Sequence, residues 1–254
     1  MGRKRRISIP GGVCHVTQQC HSKSFDMLSD GVKQQYLTLA YEIARQDQVE
    51  IIQFSIEDSH PHWLLKMPDR EDYTLSQFMH RLNTRFGHWF NRTFDRRGSF
   101  WADRFSDTWV QAGTMHLLQV ARYIDRNPLE RATNRIDPAE YPWGGYYHLF
   151  RPESAYSVTF LKYLYAAHPD KTPEQAWQWY EAFVHTELDE AARQTFFRRL
   201  GSLLWLGSQE VAEKVQAVYR ESLQDLQTRG VSWIQVVRDY SRLFRPLIAP
   251  AATG

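Results

Sequence analysis

His60-Pro61-His62 places two imidazoles two positions apart. In an extended strand, side chains at i and i+2 leave the same face, so this pair can share one divalent cation. Tyr123 and Asn127 stand four apart in Arg122-Tyr123-Ile124-Asp125-Arg126-Asn127-Pro128. In a helix that spacing also shares a face, offering a phenol nucleophile and, one turn later, an amide oxygen as a further ligand. A cation that polarises a phosphoryl oxygen beside a phenol suits attack on phosphorus and a covalent phosphotyrosine. Such a link keeps the phosphodiester energy, so the same site can rejoin what it breaks without ATP. A hydrolase would use water and would not need the tyrosine. Each part alone has a plainer explanation. The histidines could be two separately hydrogen-bonded side chains, Tyr123 a half-buried core residue, and Asn127 a helix end before proline.

The elements that must carry these residues are legible from pattern. Val13 to Gln19 predicts a strand after the breaker Pro10-Gly11-Gly12. Asp30 to Gln46 predicts a helix, with Val32, Tyr36, Leu39, Ala40 and Ile43 at helical spacing. Val49 to Ile56 and His60 to Met67 predict a β-hairpin across Glu57-Asp58-Ser59, with Pro61 suiting a strand start or an edge. Tyr73 to Phe94 predicts an amphipathic helix. Its apolar stripe is Leu75, Phe78, Met79, Leu82, Phe86, Trp89 and Phe90, and its basic stripe Arg81, Arg85, His88, Arg92 and Arg96. Phe105 to Gln111 predicts a fourth strand, and Thr114 to Arg126 a helix limited by Pro128. The order β-α-β-β-α-β-α predicts an α+β fold, a ferredoxin-like antiparallel sheet with helices on one face. This first unit is expected over residues 1–150. A helical C-terminal domain is expected over 151–246, with Trp177, Tyr180, Phe183 and Val184 among its apolar positions, and a flexible tail over 247–254.

The chain has 254 residues, enough for one large or two modest cores. Net charge is only +2, yet Arg3-Lys4-Arg5-Arg6 opens the chain and arginine is dense from Arg81 to Arg104. Local basic patches weigh more than net charge in nucleic-acid contact. Cys14 and Cys20 fit neither a disulfide framework nor a zinc signature, and are expected to be free thiols of a reducing compartment. No apolar run reaches the length of a membrane span. The basic start leads into Ile7-Ser8-Ile9-Pro10 rather than an apolar leader segment. A soluble, cytoplasmic protein is expected.

Five segments in order resemble the REP-associated tyrosine transposases, within the single-tyrosine HUH (IS200-like) transposases. These are Cys14-His15-Val16-Thr17; His60-Pro61-His62-Trp63-Leu64-Leu65; Phe90-Asn91-Arg92 with Gly98-Ser99-Phe100-Trp101 and Arg104-Phe105; Tyr123-Ile124-Asp125-Arg126-Asn127-Pro128; and Trp143-Gly144-Gly145-Tyr146. The resemblance covers about residues 5 to 150, with a much weaker echo at Gly201 to Val215. It implies an endonuclease and strand transferase with His60, His62 and Asn127 as metal ligands and Tyr123 as nucleophile. It implies Mg²⁺ or Mn²⁺, although two histidines would equally suit zinc. The implied substrate is single-stranded DNA carrying a hairpin, as in repetitive palindromic elements, which would place the protein at a bacterial nucleoid. A monomer is implied more than a dimer. Two departures stand out: Ser59 where the family has asparagine, and Gln18-Gln19-Cys20 where it has arginine-glycine.

The expected DNA-binding residues are Arg3, Lys4, Arg5, Arg6, Arg81, Arg85, Arg92, Arg97 and Arg104, with Trp63, Trp101 and Trp109 as residues that either stack on bases or fill the core. Two other functions remain open from sequence. One is a domesticated regulator that binds DNA or RNA hairpins without cleaving them. The other is a metal phosphodiesterase that uses water.

Overall fold

The structure is a computed structural model that describes residues 8–130, 135–187 and 205–208. Arg3, Lys4, Arg5 and Arg6 lie outside these residues, as do the tail 247–254 and much of the expected helical C-terminal region.

Four strands form the antiparallel part of the sheet: β1 (Val13–Thr17), β2 (Glu50–Ile56), β3 (Pro61–Lys66) and β4 (Ser106–Val110). Their order is β2-β3-β1-β4. This is the ferredoxin-like arrangement expected from the element order, with α1 (Asp30–Asp47) and α2 (Leu75–Thr93) as its crossovers. The central strands pair Thr17 with His62 and His15 with Leu64, so His15 and His62 are diagonal neighbours on one face. The β2–β3 hairpin closes at Glu57–His60, where the Glu57 amide donates to the His60 carbonyl at 3.0 Å. Pro61 opens β3, a position where its missing N–H is tolerated.

The α1–α2 face is the larger core. Cys14, Val16, Phe54, Trp63, Leu65 and Trp109 meet Tyr36, Leu37 and Ile43 of α1 and Phe78, Leu82 and Phe86 of α2 there. Thr74 starts α2 with a capping box: its hydroxyl accepts from the Gln77 amide while Gln77 returns a bond to the Thr74 amide. After α2 the chain turns through Asp95 and Gly98, both at positive φ.

The other face is also covered. Here α3 (Met115–Arg126), α5 (Phe160–Ala167) and α6 (Pro173–His185) bury Leu117, Ala121, Ile124, Phe160, Tyr180 and Val184 against Val13, Ile52, Leu64 and Val110. A single turn, α4 (Gly145–His148), leads into this layer. Two residues of β5 (Trp205–Leu206) pair in parallel with the edge of β4. No described helix is long and apolar enough to cross a membrane.

Candidate active site

His60 directly precedes β3 and His62 lies within it, and their ring centroids are 4.8 Å apart. Alternation along β3 sends Trp63 and Leu65 into the α1–α2 core and His62 and Leu64 to the opposite face. Over that face runs α3. It packs through Leu117, Val120, Ala121 and Ile124, which brings the Tyr123 hydroxyl to 3.3 Å from His62 Nε2. Asn127, one turn on, donates its amide nitrogen to the Tyr123 and Ile124 carbonyls at 2.9 and 3.2 Å. That leaves its side-chain oxygen as the atom suited to ligation.

A third histidine joins the set. His15 Nε2 lies 3.1 Å from His62 Nδ1, and the two rings stack at 5.4 Å. His15 was visible in the sequence as part of a first-strand motif, but its partner became evident once the β1–β3 register was known. The Nδ1 atom of His60 is likewise engaged, 3.0 Å from the Ser59 hydroxyl. Each histidine of the pair therefore has Nδ1 tied to a neighbour. The remaining ring nitrogens, both Nε2, are the positions from which a cation would be held.

Burial dominates the electrostatics. It holds His15 down to about 3 and drives His62 well below its ordinary value, assisted by the neighbouring His60 and His15. It also lowers His60, against an opposing pull from Asp58. All three rings are neutral at pH 7, the protonation state with a lone pair for a metal. The Tyr123 phenol is pushed up, first by burial and then by the Glu130 and Glu57 carboxylates, against a hydrogen bond from Asn127. It is protonated at neutral pH and must lose its proton to attack. No cluster of three or more His, Cys, Asp or Glu side chains arranged to hold a metal occurs among the described residues. A set completed by the Asn127 amide oxygen is not of that type. Two neutral imidazoles plus a neutral amide suit a divalent cation that keeps open positions.

The two departures from the family pattern touch one another. Gln19 donates to the Ser59 carbonyl at 2.9 Å, and the Cys20 amide donates to the same carbonyl at 2.8 Å. Gln18 bonds the Asp103 carbonyl and accepts from Asn83, both at 2.7 Å. Together they bind the His60 turn to the loop that carries Arg97 and Arg104, which also joins His21 to Phe100 at 2.8 Å. Arg92, Arg97 and Arg104 are exposed. Arg81 and Arg85 instead pair with α1, Arg81 with Asp47 and Arg85 with both oxygens of Glu42 at 3.0 Å. Trp63 and Trp109 are fully enclosed and Trp101 nearly so. Of the two readings open for them, the core one holds: their rings fill the α1–α2 core. Cys14 and Cys20 are free and buried.

Residues 14–127 match a protein-family model described as transposase, IS200-like. Among solved structures, a REP-associated tyrosine transposase bound to a REP hairpin superposes with a TM-score of 0.48 at 21% identity, covering 58% of this chain and 84% of that one. A structure assigned to a transposase of Deinococcus radiodurans R1 gives 0.33 at 16% identity, covering 50% and 95%. No curated protein matches the sequence.

Proposed function

We propose that this chain, whose residues 14–127 match the IS200-like transposase model, cleaves and rejoins single-stranded DNA at hairpin-bearing palindromic elements, with Tyr123 as nucleophile. The observation that carries this reading is the Tyr123 hydroxyl held 3.3 Å from His62 Nε2, beside a second histidine whose Nδ1 is also tied.

In this reaction the phenol oxygen bonds to the phosphorus as the bond to the leaving 3′ oxygen breaks. The phenol proton is lost and the 3′ oxygen gains one, leaving a 3′-hydroxyl and a 5′-phosphotyrosine. Attack by that hydroxyl, or by another, reverses the step and rejoins a strand. His60 and His62, with Asn127, would hold Mg²⁺ or Mn²⁺, whose contribution when bound is to neutralise charge on the phosphoryl oxygens. His15 fixes the orientation of His62 through Nδ1. Asn127 and the end of α3 keep the phenol over the histidine pair. Arg92, Arg97 and Arg104, exposed around the loop that adjoins the His60 turn, would take the phosphates of the strand. A hairpin substrate is the family's expectation, and the 1–150 unit is proposed as the one that acts on it.

The test is a denaturing gel. Protein is incubated with a single-stranded oligonucleotide carrying the palindrome that flanks its own gene, with Mn²⁺ or with EDTA. A slow, denaturation-resistant protein–DNA band that needs both Mn²⁺ and Tyr123 supports the reading. Cleavage by Tyr123→Phe with no such band would make the protein a water-using phosphodiesterase. Binding without cleavage would make it a hairpin-binding regulator.

A further inference from the structure

Helix α3 carries two polar stripes one residue, or about 100°, apart. Tyr123 and Asn127 form the stripe at the histidines. Arg122 and Arg126, with Asp125 between them in sequence, form the other. Basic residues flanking a nucleophile are natural candidates for phosphate contact, but these two are buried, at 6% and 8% exposure; apart from the Arg126–Glu130 pair, the bonds they donate go to α6, and the enclosed Arg122 Nε has no partner. The Arg122 guanidinium donates to the Thr186 carbonyl and lies 4.2 Å over the Phe183 ring. Arg126 donates to the Val184 carbonyl, and at 2.9 Å to the Thr186 carbonyl. These carbonyls belong to the end of α6, where helical geometry leaves them without intrahelical partners and where the helix dipole favours a cation.

Asp125 completes the arrangement from the other side. It accepts from the Tyr180 hydroxyl of α6 at 2.7 Å and from Gln53 of β2 at 3.2 Å, so one buried carboxyl joins helix, sheet and α6. Gly145 gives Gln53 its place, since a Cβ there would stand 1.7 Å from Gln53 Oε1. Residues 122, 125 and 126 thus anchor the turn that bears Tyr123, and most of their partners come from residues 180–186, beyond the 14–127 family match.

We propose that α6 is a clasp on the nucleophile helix, and that Arg122 and Arg126 are positioning residues that hold Tyr123 over His62 by binding the α6 C-terminus. The inference rests on the reading of Tyr123 as nucleophile. The physical reason is sensitivity of rate to placement: an error of about 1 Å in a reacting group can cost on the order of 100-fold. A helix joined to its sheet mainly by apolar contact can slide or rock, whereas two charged bonds to a neighbouring helix end fix its axial position.

The test compares wild type with Arg122→Ala/Arg126→Ala and with Arg126→Lys, by amide hydrogen exchange and by the rate of covalent adduct formation at saturating oligonucleotide. For the double variant the expected result is at least tenfold faster exchange in residues 115–126 with β1 and β3 unchanged. Adduct formation should be at least tenfold slower, with the Kd for the oligonucleotide within twofold of wild type. Arg126→Lys should recover part of both. Should the double variant fail to fold, Tyr180→Phe removes one hydroxyl and should move both readouts in the same direction by less. The proposal is overturned by unchanged exchange in α3, by exchange rising equally in every segment, or by a weakened Kd with an unchanged rate, which would make the arginines DNA contacts. If wild type forms no adduct, the reading of Tyr123 fails, while the exchange data still decide the clasp.

Discussion

At the scale of single residues the chemistry depends on which ring nitrogen is tied. His15 is expected to matter nearly as much as a ligand, because its contact at 3.1 Å sets the orientation of His62. Groups that hold a metal-binding histidine in its orientation through the other ring nitrogen are typically worth 10–100-fold in metal affinity. His15→Ala should accordingly weaken Mn²⁺ binding by about 10-fold or more, measured by calorimetry on the apoprotein, while leaving hairpin binding in EDTA intact. Equal Mn²⁺ affinity in the variant would remove His15 from the account. Trp63 is the contrasting residue. Enclosed between Tyr36 and Phe54, it should cost about 3–5 kcal/mol of stability on change to alanine, read by denaturant unfolding, and should give no selective loss of DNA affinity. The His60–His62 pair and the Tyr123–Asn127 pair were legible from spacing, since periods of two and of 3.6 fix which residues share a face. His15 was not, because its role depends on strand register, which spacing within one strand cannot reveal.

At the scale of elements, β1 to β4 and α1 to α3 follow the hydrophobic pattern to within a residue or two at most ends. The layer formed by α5 and α6 was not legible as part of the site. Their apolar positions predict helices but not the surface those helices cover, and nothing in the spacing of Arg122 and Arg126 shows that they meet the end of α6. Glu50 of β2 illustrates how that layer is joined. Burial raises its carboxyl, but bonds from Lys162, Thr159 and Tyr163 outweigh this and hold it below its ordinary value. With the folded value below the unfolded one, the stabilisation is present above the ordinary carboxylate range and is lost as pH falls through the folded value. Half-exposed pairs of this kind contribute about 1 kcal/mol or less. Glu50→Gln should therefore lower Tm modestly at pH 7 and narrow its difference from wild type toward pH 4. A constant difference across that range would show that the carboxylate bonds are not responsible.

At the scale of the whole molecule, a net charge of +2 cannot draw in a polyanion, so position decides. Arg81 and Arg85 neutralise acids of α1, whereas Arg97 is exposed on the loop bound to the His60 turn. Each phosphate contact contributes roughly 0.7 to the slope of log affinity against log salt on single strands. Arg97→Ala should flatten that slope by about this amount, and Arg81→Ala should leave it unchanged. The reverse ranking would move the DNA path to the α1–α2 face.

Everything proposed for the site turns on Tyr123 becoming covalently bound to DNA. The most direct measurement is tandem mass spectrometry of the protein recovered after reaction with the flanking palindrome in Mn²⁺. The expected product is a nucleotide joined through its 5′ phosphate to the peptide containing Tyr123, absent with EDTA. Cleaved DNA with a free 5′ phosphate and an unmodified Tyr123 peptide would contradict it.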